Sequence, residues 1–223
     1  METFFFNFVS THKNTMFAPE MEKREEILLQ SSILFKRHGF KQMTMDDLAN
    51  HMGISKKTLY KFFRNKKELI DENLKSYIHC ENSELNGHQS TSVNAIDEML
   101  RVLKHLMDLF DEMDPKLYSD LATYYPDAWN KLDGFLGDHI YNGMHQNIRR
   151  GMEEGLYMND TEADILARMY VAKVRAIMES DYFPVENYSK SALFRVLVEY
   201  HIRGIATEKG RALLNSIKKT YFE

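Results

Sequence analysis

Five lysines fall within twelve residues: Lys56, Lys57, Lys61, Lys66 and Lys67. Two hydroxyls, Ser55 and Thr58, and one phenol, Tyr60, are interleaved with them. Ammonium groups neutralise phosphates, and hydroxyls and amides bond to phosphate oxygens, so this mixture suits a polyanionic surface. Thr44 lies just upstream, followed by Asp46 and Asp47. A threonine there caps a helix, and the helix N-terminus and the hydroxyl together attract an anion. The ordinary role of exposed lysines is a solvated face, so the surroundings must decide between the two.

The charge distribution favours the polyanion. The whole chain of 223 residues has a formal net charge of −4. Between Lys36 and Lys67 there are nine Lys or Arg against two acids, a local balance of +7 that leaves −11 for the remainder. A basic patch at one end of an acidic protein is the electrostatic footprint of a nucleic-acid-binding head.

Helices must position these groups, and the sequence is rich in helix signals. Gly and Pro are scarce, ten and four, which disfavours a turn-rich β fold. Ile27, Leu28, Leu34 and Phe35 lie on one face of a helix over 21–38, with Gly39 as its stop. Thr44 caps a second helix, Gly53 breaks it, Ser55 caps a third through about Phe63, and Asn65 caps a fourth. Leu48, Ala49, Met52, Gly53, Ile54, Leu59 and Phe62 supply what a helix-turn-helix needs. Ala49 is the small residue where the helices cross, Gly53 turns the chain at positive φ, and the others form a buried set.

These residues resemble the DNA-binding head of the TetR family of repressors. The resemblance spans residues 24–70. It is densest from Thr44 to Ala49, from Gly53 through Ser55-Lys56-Lys57-Thr58-Leu59-Tyr60-Lys61-Phe62-Phe63, and from Asn65 to Leu69. Lys57 departs from the pattern, since many members carry glycine there. The resemblance implies a homodimer on a near-palindromic duplex DNA operator, with the helix from Ser55 to Phe63 in the major groove. It further implies that Thr44, Tyr60 and Lys67 contact phosphates. The DNA-binding set is then Thr44, Ser55, Lys56, Lys57, Thr58, Tyr60, Lys61, Lys66 and Lys67.

Downstream, residues 83–92 are polar and read as a loop-like hinge. Ile96, Leu100, Leu103, Met107 and Phe110 step at helical spacing. Pro115 and Pro126 each suit the first turn of a helix. A long helix over 127–150 contains Gly134, Gly137 and Gly143, and Gly151 and Gly155 end it. Thr161 opens a helix to about Ser180, Ser189 opens another, and residues 209–221 form the last. The expected fold is all-α: an extension at 1–18, a three-helix helix-turn-helix head at 19–65, and a larger helical effector-binding and dimerisation domain at 66–223.

The wealth of apolar and aromatic residues, including fourteen Met, fourteen Phe and twelve Tyr, predicts a cavity in that domain for a moderately hydrophobic small molecule. Leu103, Met107, Phe110, Tyr124, Trp129, Phe135 and Met144 are the candidate liners, with His105 or Arg175 as polar anchors. No glycine-rich anion cradle appears there, so a nucleotide or sugar phosphate is not expected. The wide apolar stripe of the helix after Ser189 predicts a dimer interface through Leu193, Leu197, Val198, His201 and Ile205.

Other chemistry finds little footing. His139 and His145 are six residues apart, on different helix faces, so no metal site is expected. No phosphate loop or Gly-x-Ser-x-Gly elbow is present, and the carboxylates are scattered, so neither an enzyme nor a cofactor is expected. Cys80 alone permits no intramolecular disulfide. Phe4, Phe5, Phe6 and Phe8 form a short apolar start without a basic lead, unlike a signal peptide. No apolar run approaches the roughly 18 residues of a membrane span, and the expected location is the cytoplasm. Two alternatives remain: a helix-turn-helix protein without an effector, and a helical enzyme or scaffold. A filled interior would favour the first alternative, whereas a cavity with some polar lining favours sensing.

Overall fold

The computed structural model describes residues 19–222 apart from 112, 115, 179–181 and 185, and no side chain within 19–21 or 81–90. The extension at 1–18, the helix start at Pro115 and the helix end at Ser180 lie outside the described residues. Among the described residues there are ten helices and no strand. They are α1 (Pro19–Gln42), α2 (Met45–His51), α3 (Lys56–Phe62), α4 (Lys66–Thr91) and α5 (Ala95–Asp111). After these come α6 (Leu117–Tyr124), α7 (Pro126–Glu153), α8 (Ala163–Met178), α9 (Lys190–Ile205) and α10 (Glu208–Phe222).

Capping explains where the head's helices begin. The Thr44 hydroxyl accepts from the Asp47 amide at 3.1 Å, and the Asp47 carboxylate accepts from the Thr44 amide at 3.0 Å. That reciprocal pair satisfies two donors left open at the start of α2. Ser55 caps α3 by accepting from the Thr58 amide at 3.0 Å. α1 loses helical geometry at Gly39, where φ is 75°. Gly53 turns the chain between α2 and α3 at φ 64°. Leu48, Ala49 and Leu59 are fully buried between them. Phe63, rather than the expected Phe62, is the aromatic that fills the head: Phe63 is buried, whereas Phe62, Met52 and Ile54 are half-buried against the same cluster.

The hinge expected at 83–92 is instead the last part of α4, which runs unbroken to Thr91. Serine, asparagine and glutamine are indifferent helix formers rather than breakers, and a single glycine costs only about 1 kcal/mol. A helix already nucleated gains a hydrogen bond with each added residue. The link to α5 is Ser92–Asn94. Asn94 ends it by accepting from the amides of Ile96 at 3.1 Å and Asp97 at 2.9 Å. α7 likewise runs through four glycines, including the Gly151 expected to end it, and stops at Glu153.

Two cores result. One joins α5, α7, α8, α9 and α10 around Leu100, Ile148, Tyr157, Val198 and Ile202. The other holds the head, and it does not stop at residue 65. Tyr118 and Leu121 of α6, with Ala128 and Leu132 of α7, pack with Phe35, Leu48, Leu59 and Phe63. Phe110 packs against both cores. The head therefore sits directly on the helices of the larger domain.

Candidate nucleic-acid interface and regulatory cavity

The head presents α3 outward. Lys57, Lys61 and Tyr60 are exposed while Leu59, one position away, is fully buried. Lys56 is exposed too, and its Nζ lies 2.5 Å from the Asp46 carboxylate of α2. The Ser55 and Thr58 hydroxyls are 2.8 Å apart within the cap. Thr44 and Lys67 flank α3 at two helix starts. The hydrogen bonds from Thr44 hold the Asp47 carboxyl below the usual carboxylate range. Lys67 Nζ lies 3.4 Å from each of two carboxylates, Asp71 and Asp127. Its hydrogen bond to Asp127, foremost, raises its affinity for a proton.

Lys66 differs from its neighbours. Its Nζ donates to the Phe40 carbonyl and sits 5.9 Å from the Tyr125 ring centre. Burial lowers its proton affinity. The expectation that Lys66 belongs to the exposed basic face is corrected: this ammonium is turned inward and fastens α4 to the end of α1.

α6 holds the head from the other side. The Asp114 amide donates to the Lys36 carbonyl at 2.7 Å, and the Lys41 amide donates to Asp120 at 3.1 Å. Both contacts bracket Gly39, where a Cβ would stand 3.1 Å from the Asp120 carboxylate.

A cavity of about 270 Å³ opens among α4, α5, α6, α7, α8 and α9. Phe110 and Met144 line it as expected. Leu103, His105, Met107, Tyr124, Trp129, Phe135 and Arg175 do not. Leu103 is fully buried in the core, His105 is buried and Met107 packs against the same core. Trp129 and Phe135 pack on the head's core instead. Tyr124 is exposed, under Lys41. Arg175 is exposed and paired with Asp133 at 3.0 Å. The expected positions missed the register because α5 buries two adjacent stripes. Ile96, Leu100 and Leu103 serve the core, while Glu98, Val102, Leu106 and Leu109 face the cavity.

Glu98 is the functional candidate that sequence reasoning overlooked. An acid in the first turn of a helix ordinarily meets solvent and the helix dipole. Its register with Val102 and Leu106, four and eight residues on, was the available signal. It is 7% exposed. Burial raises its pKa, opposed by hydrogen bonds from Asn147 and Arg150. Asn147, Asn142, Gln146 and His139 complete the polar lining.

The expected interface residues also face inward. Leu197, Val198, His201 and Ile205 are buried in the chain's own core, and Leu193 packs against it. α9 needs that stripe to cover α5. The apolar side chains it leaves outside are Val196 and Tyr200, 64% and 66% exposed, and α8 leaves Ile165 and Met169, 51% and 50% exposed. Lys173 of α8, one turn past Met169, lies 5.3 Å over the Tyr200 ring, so the exposed sides of the two helices adjoin there. Among the described residues no cluster suited to a metal is found, and no helix is long and apolar enough to cross a membrane.

Residues 27–72 match the family model for bacterial regulatory proteins, tetR family. The chain is 24% identical over 196 residues to the HTH-type transcriptional regulator YvaF of Bacillus subtilis, covering 85% of this chain and 97% of YvaF. It is 21% identical over 156 residues to the HTH-type transcriptional repressor KstR2 of Mycobacterium tuberculosis, covering 66% of this chain and 74% of KstR2. Its fold is similar to that of the transcriptional regulator FadR from Bacillus subtilis, solved with stearoyl-CoA. The TM-score is 0.60 at 15% identity, covering 81% of this chain and 98% of FadR.

Proposed function

We propose that this chain, a tetR-family regulator by its head, is a homodimeric cytoplasmic repressor that binds a near-palindromic operator and is released by a hydrophobic small molecule. α3 would lie in the major groove, with Lys57, Tyr60 and Lys61 toward the DNA and Thr44 and Lys67 on flanking phosphates. Lys66 stays in the fold.

Tyr118 carries the sensing half of this reading. It lines the cavity and is part of the head's core, on the same helix as Asp120, which holds the end of α1. A molecule that displaces Tyr118 and Phe110 would move α6, and with it the attachment of the head. Operator and effector then favour different placements of the two heads in the dimer, so each lowers the affinity of the other. A coupling of roughly 1–3 kcal/mol suffices for a 5–150-fold effect. The apolar cavity with its few polar groups favours this over an effector-independent binder, and no feature of the site favours a reaction over binding. FadR, solved with stearoyl-CoA, supports the reading that this fold accepts a molecule with a long apolar chain.

The test has two stages. Selection from random duplexes should yield a near-palindrome bound with strong salt dependence. Thermal-shift hits from an apolar library should then release the protein from that duplex in anisotropy titrations. No preference among selected duplexes refutes the operator. Hits that bind without altering operator affinity refute the coupling.

A further inference from the structure

The cavity has a sign. Among its described lining residues Glu98 is the acid, and none is lysine or arginine. Arg150 approaches Glu98 at 3.1 Å but does not line the cavity. The same guanidinium is held by Glu154 at 2.8 Å and by the Ser92 hydroxyl and carbonyl at 2.7 and 3.0 Å. Two carboxylates thus share one cation, and the group keeps a net negative charge at the cavity wall. Asn147 beside it is locked, hydrogen-bonded to Glu98, donating to the Ala95 carbonyl at 2.9 Å and accepting from Tyr157 at 3.3 Å. His139, the lining side chain able to carry positive charge, lies eight residues from Asn147 on α7, about 12 Å along the helix. From Glu98 to Leu109 the α5 stripe extends about 16 Å, so the cavity is long, with its acid at one end. Phe110, Tyr118 and Phe194 cluster in the wall at the other end, where they suit an apolar body.

Resting on the reading of this cavity as the effector site, we propose that its ligand is a lipophilic organic cation. The charged head lies at Glu98 and the apolar body runs toward Phe110. A carboxylate or phosphate head would meet Glu98 with no lysine or arginine in the wall to neutralise it, and burying a charge beside a like charge is costly. A neutral head forgoes the attraction that burial strengthens.

The test compares three probes with one ten-carbon chain, decyltrimethylammonium, decanol and decanoate, by calorimetric titration of the full chain below their micelle concentrations. The cation should bind at least tenfold more tightly than decanol, and decanoate most weakly. In Glu98→Gln, checked for folding by circular dichroism, the cation and decanol should bind within about twofold of each other. Glu98→Asp, which keeps the charge, should preserve the order and covers the case in which the glutamine variant fails to fold. Decanol or decanoate binding the native protein as tightly as the cation overturns the charge assignment while leaving an apolar effector site in place. Binding of none of the three overturns both.

Discussion

Lys67 illustrates how little of a residue's role lies in its type. It holds Asp71 of its own helix and Asp127 at the start of α7, both at 3.4 Å and both through an exposed ammonium. Such pairs are weak in water, so a phosphate can take either place. Lys67→Ala should weaken binding to every duplex by a similar factor, about tenfold, and reduce the salt slope by about 1. Lys57→Ala, on the outward face of α3, should instead change which duplexes are preferred. Anisotropy titrations at several salt concentrations separate the two, and a reordering of duplexes by Lys67→Ala would contradict its assignment. Lys66 and Lys67 are adjacent and chemically identical, yet one is turned into the fold. The basic patch was legible from composition, but that division was not, because it depends on where the Phe40 carbonyl lies. Glu98 escaped for the same reason: its neighbours in space come from α7.

His201 makes a second residue-scale prediction. It is 5% exposed, edge-on to Tyr170 at 4.9 Å between ring centres, and its Nε2 has no hydrogen-bond partner. Burial, assisted by the Lys173 charge, lowers its pKa to about 4. The unfolded chain, titrating near the usual 6.5, takes up the proton first as pH falls. The stabilisation is therefore fully present above about pH 6.5 and is lost as pH falls toward 4. Between pH 7.5 and 5.0 this one group should remove about 2 kcal/mol of stability. Urea unfolding of the native protein and of His201→Phe at the two pH values gives the difference directly. Equal pH dependence in the two proteins would show that His201 is not the group responsible.

At the scale of elements, local signals located most helix starts because caps and prolines act within one turn. Thr44, Ser55, Asn65, Pro126 and Ser189 all stand at or before a first helical residue. Helix continuation was harder, and the polar end of α4 was read as a hinge because composition there is loop-like. Helix rotation was hardest. The broad stripe of α9 was correctly apolar, but its inner part covers α5, and which residues remain outside depends on α8. Gly39 is where sequence and element meet most tightly. Its φ of 75° is a region that other residues enter at a cost, and its missing Cβ leaves room for Asp120 to reach the Lys41 amide. Gly39→Ala should therefore cost about 1–2 kcal/mol in urea unfolding. It should also weaken operator binding, because it disturbs the seat of α6 on the head. A stability loss with operator affinity intact would mean that this seat does not position the head.

At the scale of the molecule, one chain offers one head, and a near-palindrome requires two. For the proposed dimer we place the second copy against the exposed apolar side chains Ile165, Met169, Val196 and Tyr200. Four large apolar side chains, each at least half exposed, lie on two packed helices, an arrangement a lone chain gains nothing by keeping dry. Two copies of a helix pair meeting across a two-fold axis make a four-helix contact. The double variant Val196→Glu, Tyr200→Glu places its new charges in water in the single chain, so the fold should survive. In a dimer it would bury like charges against each other. Light scattering should find monomers with native helical content. Operator affinity should fall by two orders of magnitude or more, because the two half-sites are no longer engaged through one linked pair of heads. Leu197→Glu is the contrast, since it drives a charge into the chain's own core and should give unfolded or insoluble protein rather than a monomer. A soluble, helical double variant that remains a full dimer would assign the interface to another face, and the two-headed reading would need a different axis.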